Sequence, residues 1–240
     1  MAIGAAALCA LFGPAAVPGS WQQLPGPAAA MGQVMVFNQP RHPVGGPGAD
    51  TSFIDDGGNS IWQQVADDII LGQDATIGRI KWFGFYGGTF TGSTQPPTTQ
   101  TMRIRFYDSR PGDGLPGVIL FEESIVDPLR IPTGAVIPLP LAPIEQRFEV
   151  DLMTPFDMLA GVQYWMEIVQ LADINSHYRW EYSLGNQTPY AFLNPNVNDW
   201  RRTSTGANVA FELWTVPEPS SVLLVLGALA LTLTRLKTRR

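Results

Sequence analysis

Short stretches of strict alternation, each bounded by turn-forming residues, constrain this chain more than any other feature. In Thr101–Asp108, TMRIRFYD, Met102, Ile104 and Phe106 alternate with Thr101, Arg103 and Arg105. A period of two marks a strand with one buried face, because successive side chains of a pleated ribbon point to opposite sides. The pattern recurs in Arg147–Leu152 (RFEVDL), Gln163–Gln170 (QYWMEIVQ), Tyr178–Tyr182 (YRWEY) and Asn208–Trp214 (NVAFELW). It sends Phe148, Val150 and Leu152 inward, then Tyr164, Met166 and Ile168, then Val209, Phe211 and Leu213. Val34–Phe37, Ile61–Val65, Ile77–Phe85 and Val118–Val126 are further expected strands. The stretches RHPVGGPG, TGSTQPPTT, SRPGDGLPG and IPTGAVIPLPLAP read as turns, being rich in residues that preset φ or tolerate its positive values. No segment sustains a 3.6-residue period. Nine or more short strands and no helix predict an all-β body over residues 31–215, an antiparallel β-sandwich of jelly-roll type. The 24 Gly, 21 Pro and only 15% charged residues suit so many turns.

Charge is unevenly placed. Arg235, Lys237, Arg239 and Arg240 close the chain, while Glu218 is the single acidic residue of the last twenty-five. The body keeps 11 basic and 20 acidic residues, a formal net of −9, with Lys81 its only lysine. Such a surface repels a phosphate backbone, so nucleic acid is not an expected partner. The single cysteine, Cys9, excludes a disulfide framework, and its removal with the leader would exclude a cysteine nucleophile from the mature chain.

Both ends read as processing segments. Residues 1–30 carry no charge; Ile3–Phe12 would be the apolar centre of a secretory signal and Ala28, Ala29 and Ala30 its cleavage region, although no basic stretch precedes them. At the other end Val222, Leu223, Leu224, Val225, Leu226, Gly227, Ala228, Leu229, Ala230, Leu231, Thr232 and Leu233 form an apolar run that Arg235 ends. As a helix it spans about 20 Å, short against a hydrocarbon core of roughly 30 Å. Four cations directly after it suit a cytoplasmic membrane face and place the body on the other side.

Val216-Pro217-Glu218-Pro219, a short apolar segment and a basic end resemble, in that order, the PEP-CTERM sorting signal of Gram-negative bacteria. The resemblance covers residues 216–240. It implies recognition of Pro217, Glu218 and Pro219 by exosortase, a membrane-embedded cysteine transpeptidase-like enzyme. It also implies a transient inner-membrane helix over Val222–Leu233, a basic stop at Arg235–Arg240, and removal of the tail. ADDIILGQDATIGRIKWFGFYG followed by RIRFYDSRPGDGLPG, with the later YWMEI and WEYSLG, resembles the bodies of exported bacterial β-sandwich proteins of unknown function that carry such tails.

Chemical motifs are sparse. Neither G-x-S-x-G nor H-E-x-x-H occurs, and His42 and His177 have no local catalytic context. Glu149 and Asp151 resemble part of the E-x-D-x-x-E strand motif of sandwich-fold glycosidases, yet Thr154 stands where the second Glu is required, so the acid/base partner is missing. Charges alternating on a solvent-facing strand explain the same residues. The loops DDGGN (residues 55–59) and DSRPGDG (residues 108–114) offer carboxylates at flexible turns, and Asp108 with Asp113 is the candidate calcium pair, without the EF-hand spacing. Trp165 shares a strand face with Gln163 and Glu167, so exposed there it would stack on a sugar ring. The expectation is an exported cell-surface or extracellular-matrix protein without intrinsic catalysis. A carbohydrate-binding module acting on exopolysaccharide is the first alternative and a secreted sandwich-fold hydrolase the second.

Overall fold

The computed structural model describes residues 32–42, 48–50, 52–54, 61–62, 64–87, 96–139, 141–172, 177–183, 189–194, 199–204 and 206–216. The leader over residues 1–30, the loop at residues 55–59 and the tail from Pro217, with its motif, apolar run and basic end, lie outside the described residues.

The described residues form strands throughout and no helix. In chain order these are β1 (Met35–Gln39), β2 (Gly48–Asp50), β3 (Ser52–Ile54), β4 (Ile61–Trp62), β5 (Val65–Ile70), β6 (Ala75–Tyr86), β7 (Thr101–Ser109) and β8 (Pro116–Val126). They continue with β9 (Leu129–Val136), β10 (Ile144–Met158), β11 (Gln163–Ala172), β12 (Tyr178–Ser183), β13 (Ala191–Asn194), β14 (Asp199–Arg202), β15 (Asn208–Val209) and β16 (Phe211–Thr215). They build two sheets. The first runs β1-β16-β6-β10-β9, with β12 joining β6 beyond the end of β16 and carrying β2 and β15. The second is centred on β11, flanked by β7 and β8 on one side and by β5, β13 and β14 on the other. Among the described strands pairing is antiparallel except between β3 and β11. The fold is an all-β, sandwich-like pair of sheets.

The alternation in the sequence becomes the core between the sheets. Met102, Ile104 and Phe106 from β7 are fully buried, as are Met166 and Ile168 from β11 and Val209, Phe211 and Leu213 from β15 and β16. Aromatic pairs fill this core, both along the first sheet and between the two sheets. Trp82 stacks on Phe148 with centroids 5.3 Å apart, and Phe106 stacks on Phe156 at 4.7 Å. Offset rings of this kind add to the stabilisation from area burial alone.

Three local readings change. The stretch IPTGAVIPLPLAP is not simply a turn, because β9 occupies its first half. Among the described residues β9 pairs within the first sheet only with β10, so Pro132 sits on an edge strand, where a missing N–H costs no ladder bond. Ile61–Val65 is not one strand; β4 ends at Trp62 and β5 starts at Val65. Asn208–Trp214 breaks at Ala210. The Ala210 amide donates to the Glu181 carbonyl, while the Ala210 carbonyl accepts from the Phe83 amide and from Trp180 Nε1. The segment thereby changes partner from β12 to β6. In β10 the register also slips between Asp151 and Phe156, around Pro155, which has no N–H to pair.

Candidate functional site

Glu149 and Asp151 lie two residues apart on β10 and so share a face. Asp151 receives two hydrogen bonds from Arg79, at 2.6 and 2.8 Å, and Glu149 pairs with Arg147 at 2.8 Å. The Arg79 guanidinium holds the Asp151 carboxyl below its usual range. Next to them in register, Lys81 faces Glu149 and Glu212, and its ammonium lies 4.2 Å from the Trp214 ring centroid. The arrangement is a ladder of opposite charges on the outer face of the first sheet. Each of the two carboxylates is neutralised by its own arginine. His42 is half-buried, and His177 is buried where its carbonyl accepts from the Gly87 amide.

Asp108 and Asp113 take separate roles. Asp108 Oδ1 accepts the Val118 amide proton at 2.5 Å, a contact that needs Gly117, because a Cβ there would fall on that oxygen. Asp113 folds back on Arg110, with Oδ2 2.7 Å from Nη2, and also accepts the Leu115 amide proton. Arg110 reaches Asp199 of β14 as well, at 2.7 Å. These bonds keep Asp113 and Asp199 below the usual carboxylate range. Of the candidate calcium pair, Asp113 closes the turn on Arg110 and Asp108 caps the Val118 amide. Among the described residues no group of three or more His, Cys, Asp or Glu side chains could hold a metal ion.

A cleft of about 450 Å³ opens beside this turn, with Asp108, Arg110 and Asp199 at its rim and Leu193 and Trp200 on its apolar side. Trp165 lies near it but is not an exposed platform. It is fully buried on the outer face of the second sheet, where it packs with Ala66, Tyr107, Ala191 and Trp200. The Arg202 guanidinium covers its ring at 5.3 Å. Strands β13 and β14 supply Ala191 and Trp200 to this second cluster, so a face that alternation alone assigns to solvent is covered. The exposed large apolar side chains among the described residues are all aliphatic or methionine.

The sequence reading missed the buried carboxylates. Glu167, fully buried on β11, accepts from the Tyr107 hydroxyl and lies 3.6 Å from Arg103 and 3.7 Å from Arg105. Burial pushes its carboxyl up, while Tyr107 and the two guanidinium groups pull it back. Asp67 and Asp68 are adjacent on β5 and point to opposite faces. Asp67 accepts from the Val209 amide in the first sheet, and Asp68 accepts from Gln163 Nε2 at 2.9 Å. Burial raises both carboxyls. The signal was present in VADDII and WMEIV, where acids interrupt apolar runs. A charge in such a run has to find a partner inside the fold.

Two sheets packed over an aromatic core, with ion pairs on their faces, define an all-β, sandwich-like protein. Residues 20–221 match the family described as Domain of unknown function (DUF7901), and the chain belongs to that family. Comparison with curated proteins gives no match.

Proposed function

We propose that this chain is an exported cell-surface or extracellular-matrix protein. Its body is a jelly-roll β-sandwich, it is delivered by a removable PEP-CTERM-type tail, and it performs no catalysis of its own. The observation that carries this reading is where the described strands and the family match end. The last described strand stops at Thr215, just before Pro217-Glu218-Pro219, and the family match stops at residue 221, immediately before the apolar run. Among the described residues the main core draws on none later than Leu213. Cutting after the motif would therefore leave every strand described here in place. The body, apart from the motif and its basic end, carries a formal net of −9, and removing four terminal cations makes the mature protein more acidic and more soluble.

The test is intact-mass measurement of protein released from the surface of cells that carry the sorting enzyme. The expected mass lacks Val222–Arg240. Stable full-length protein in the inner membrane of those cells would overturn removal and leave a tail anchor.

The cleft supports a second reading, binding of extracellular polysaccharide. Leu193 and the largely buried Trp200 line it beside Asp108, Arg110 and Asp199, the mixture of apolar and polar groups found in binding clefts. A glycan array hit abolished by Trp200→Ala would support it, and a blank array would remove it.

A further inference from the structure

Exposed aliphatic side chains stand at the end of the sandwich where the described chain stops, as they also do far from it at Val136, Leu141 and Ile144. Val34 is 56% exposed, Ile70 54%, Leu159 56% and Val162 41%. Backbone hydrogen bonds fix each side of this end separately. The Thr215 amide donates to the Val34 carbonyl at 2.9 Å, and the Gly161 amide to the Leu71 carbonyl at 2.9 Å. A groove of about 830 Å³ runs between them, lined by Val34, Leu159 and Val216 with Asp74 and Asp157. The two carboxylates are already engaged. Asp74 accepts the Ala160 amide proton at 2.7 Å, and Asp157 accepts the Thr76 hydroxyl proton at 2.5 Å. Among the described residues no Lys or Arg lines the groove.

We propose that this end of the sandwich is a lipid-facing surface that rests on the outer leaflet of the bilayer while the tail is uncut. The inference rests on the sorting-tail reading given above. Its argument is reach. Only residues 217–221 separate Val216 from the start of the apolar run, a stretch that extends over about 20 Å at most. A span of about 20 Å is shorter than the hydrocarbon core, so mismatch draws its flanking residues toward the headgroups. The tether holds the aliphatic end at a high effective concentration beside the membrane, where weak partition of a few side chains is enough for contact. Two carboxylates and no described cation at the groove make neutral, zwitterionic lipid the better partner, and anionic lipid weakens the contact.

The test uses the full chain with Cys9→Ser and one introduced cysteine carrying an environment-sensitive dye, reconstituted into phosphatidylcholine vesicles that contain a shallow spin-labelled lipid. Dye positions are Leu159→Cys and Val162→Cys at this end, Leu226→Cys in the tail, and Val136→Cys as control. Val136 pairs with Ile144, at the opposite end of β10 from Met158. Quenching at Leu159→Cys and Val162→Cys is expected to exceed that at Val136→Cys at least threefold, and to fall when a third of the lipid is replaced by phosphatidylglycerol. Quenching at Leu226→Cys with neither body position above the control overturns this inference and leaves the tail reading intact. An unquenched Leu226→Cys overturns the span; with it the inference falls too, unless Leu159→Cys and Val162→Cys remain quenched, which would establish the surface independently.

Discussion

Asp67 of β5 and Val209 of β15 meet across the sandwich: Asp67 Oδ2 accepts the Val209 amide proton at 2.7 Å. The two residues belong to different sheets, so this bond ties one layer to the other inside the core. The Asp68 amide donates to the other oxygen at 2.9 Å. The Gln39 carboxamide, oriented to satisfy both neighbours, donates to Oδ2 at 2.9 Å and to the Val209 carbonyl at 2.7 Å. Even with these donors, burial raises the carboxyl well above its usual range.

That raised value sets a pH dependence. A carboxyl that holds its proton more tightly when folded stabilises the fold fully below its unfolded pKa, near 4, and loses that contribution as pH rises through the folded value. Asp67→Asn removes the titration. Thermal melts from pH 4 to pH 9 should show the variant's midpoint gaining steadily on that of the wild type as pH rises. Parallel curves would mean that Asp67 does not titrate differently in the two states. The slope is the readout, because Asn also loses one acceptor and shifts the absolute midpoint.

Asp151 has the opposite sign. Arg79 lowers its carboxyl, so its contribution is present above the unfolded pKa and is lost as pH falls through the folded value. The Asp151 side chain is 62% exposed, so water and salt screen the pair. Asp151→Asn should cost less than about 1 kcal/mol in urea melts, and the difference should shrink toward zero in 1 M salt. A larger loss that persists in salt would show that the outer charge ladder acts as one cooperative network.

Gly84 lies where β12 crosses β6. A Cβ at that position would overlap the Tyr178 ring hydroxyl and come within 2.5 Å of the Arg179 carbonyl oxygen, a backbone atom that cannot turn aside. Gly84→Ala should cost about 1–3 kcal/mol or more, as overpacking of a close-packed interior does. Gly72 is exposed, and a Cβ there would meet nothing within 4 Å, so Gly72→Ala should change stability by less than about 0.5 kcal/mol. Equal effects at the two positions in chemical denaturation would contradict the close approach at Gly84.

Phe148 touches Trp82, Tyr86 and Tyr178, with centroids 5.3, 6.4 and 5.5 Å away. Phe148→Ala should destabilise the protein by about 3–5 kcal/mol, and Phe148→Leu by distinctly less, because the aliphatic side chain fills most of the cavity. Near-ultraviolet circular dichroism of the Trp82 environment, read beside the urea midpoints, checks both.

Local pattern carried much of the fold. The inward trios of β7, β11 and β15–β16 were legible because side-chain direction in a strand repeats every two residues and needs no knowledge of partners. The strand β9 was not legible. Proline excludes a central strand but not an edge, and a sequence does not say which strand is an edge.

The candidate site was less legible than the fold. Asp108 and Asp113 look alike in a glycine-bearing turn, but what each binds depends on residues far along the chain. Arg110, which clasps Asp113, also reaches Asp199, 89 positions away. Trp165 and Glu167 fall on the face that alternation assigns to water, and side chains from neighbouring strands of the same sheet bury them: Tyr107, Ala191 and Trp200 pack on Trp165, and Tyr107, Arg103 and Arg105 close around Glu167.

The sequence by itself determined the all-β class, the inward face of the regular strands, the acidic body and the order of motif, apolar run and basic end. All of these follow from neighbours within a few residues. Tertiary structure alone decided which carboxylates are buried, which arginine each one meets and which strand faces are covered, because burial and ion pairing depend on segments that the chain brings together from distant positions.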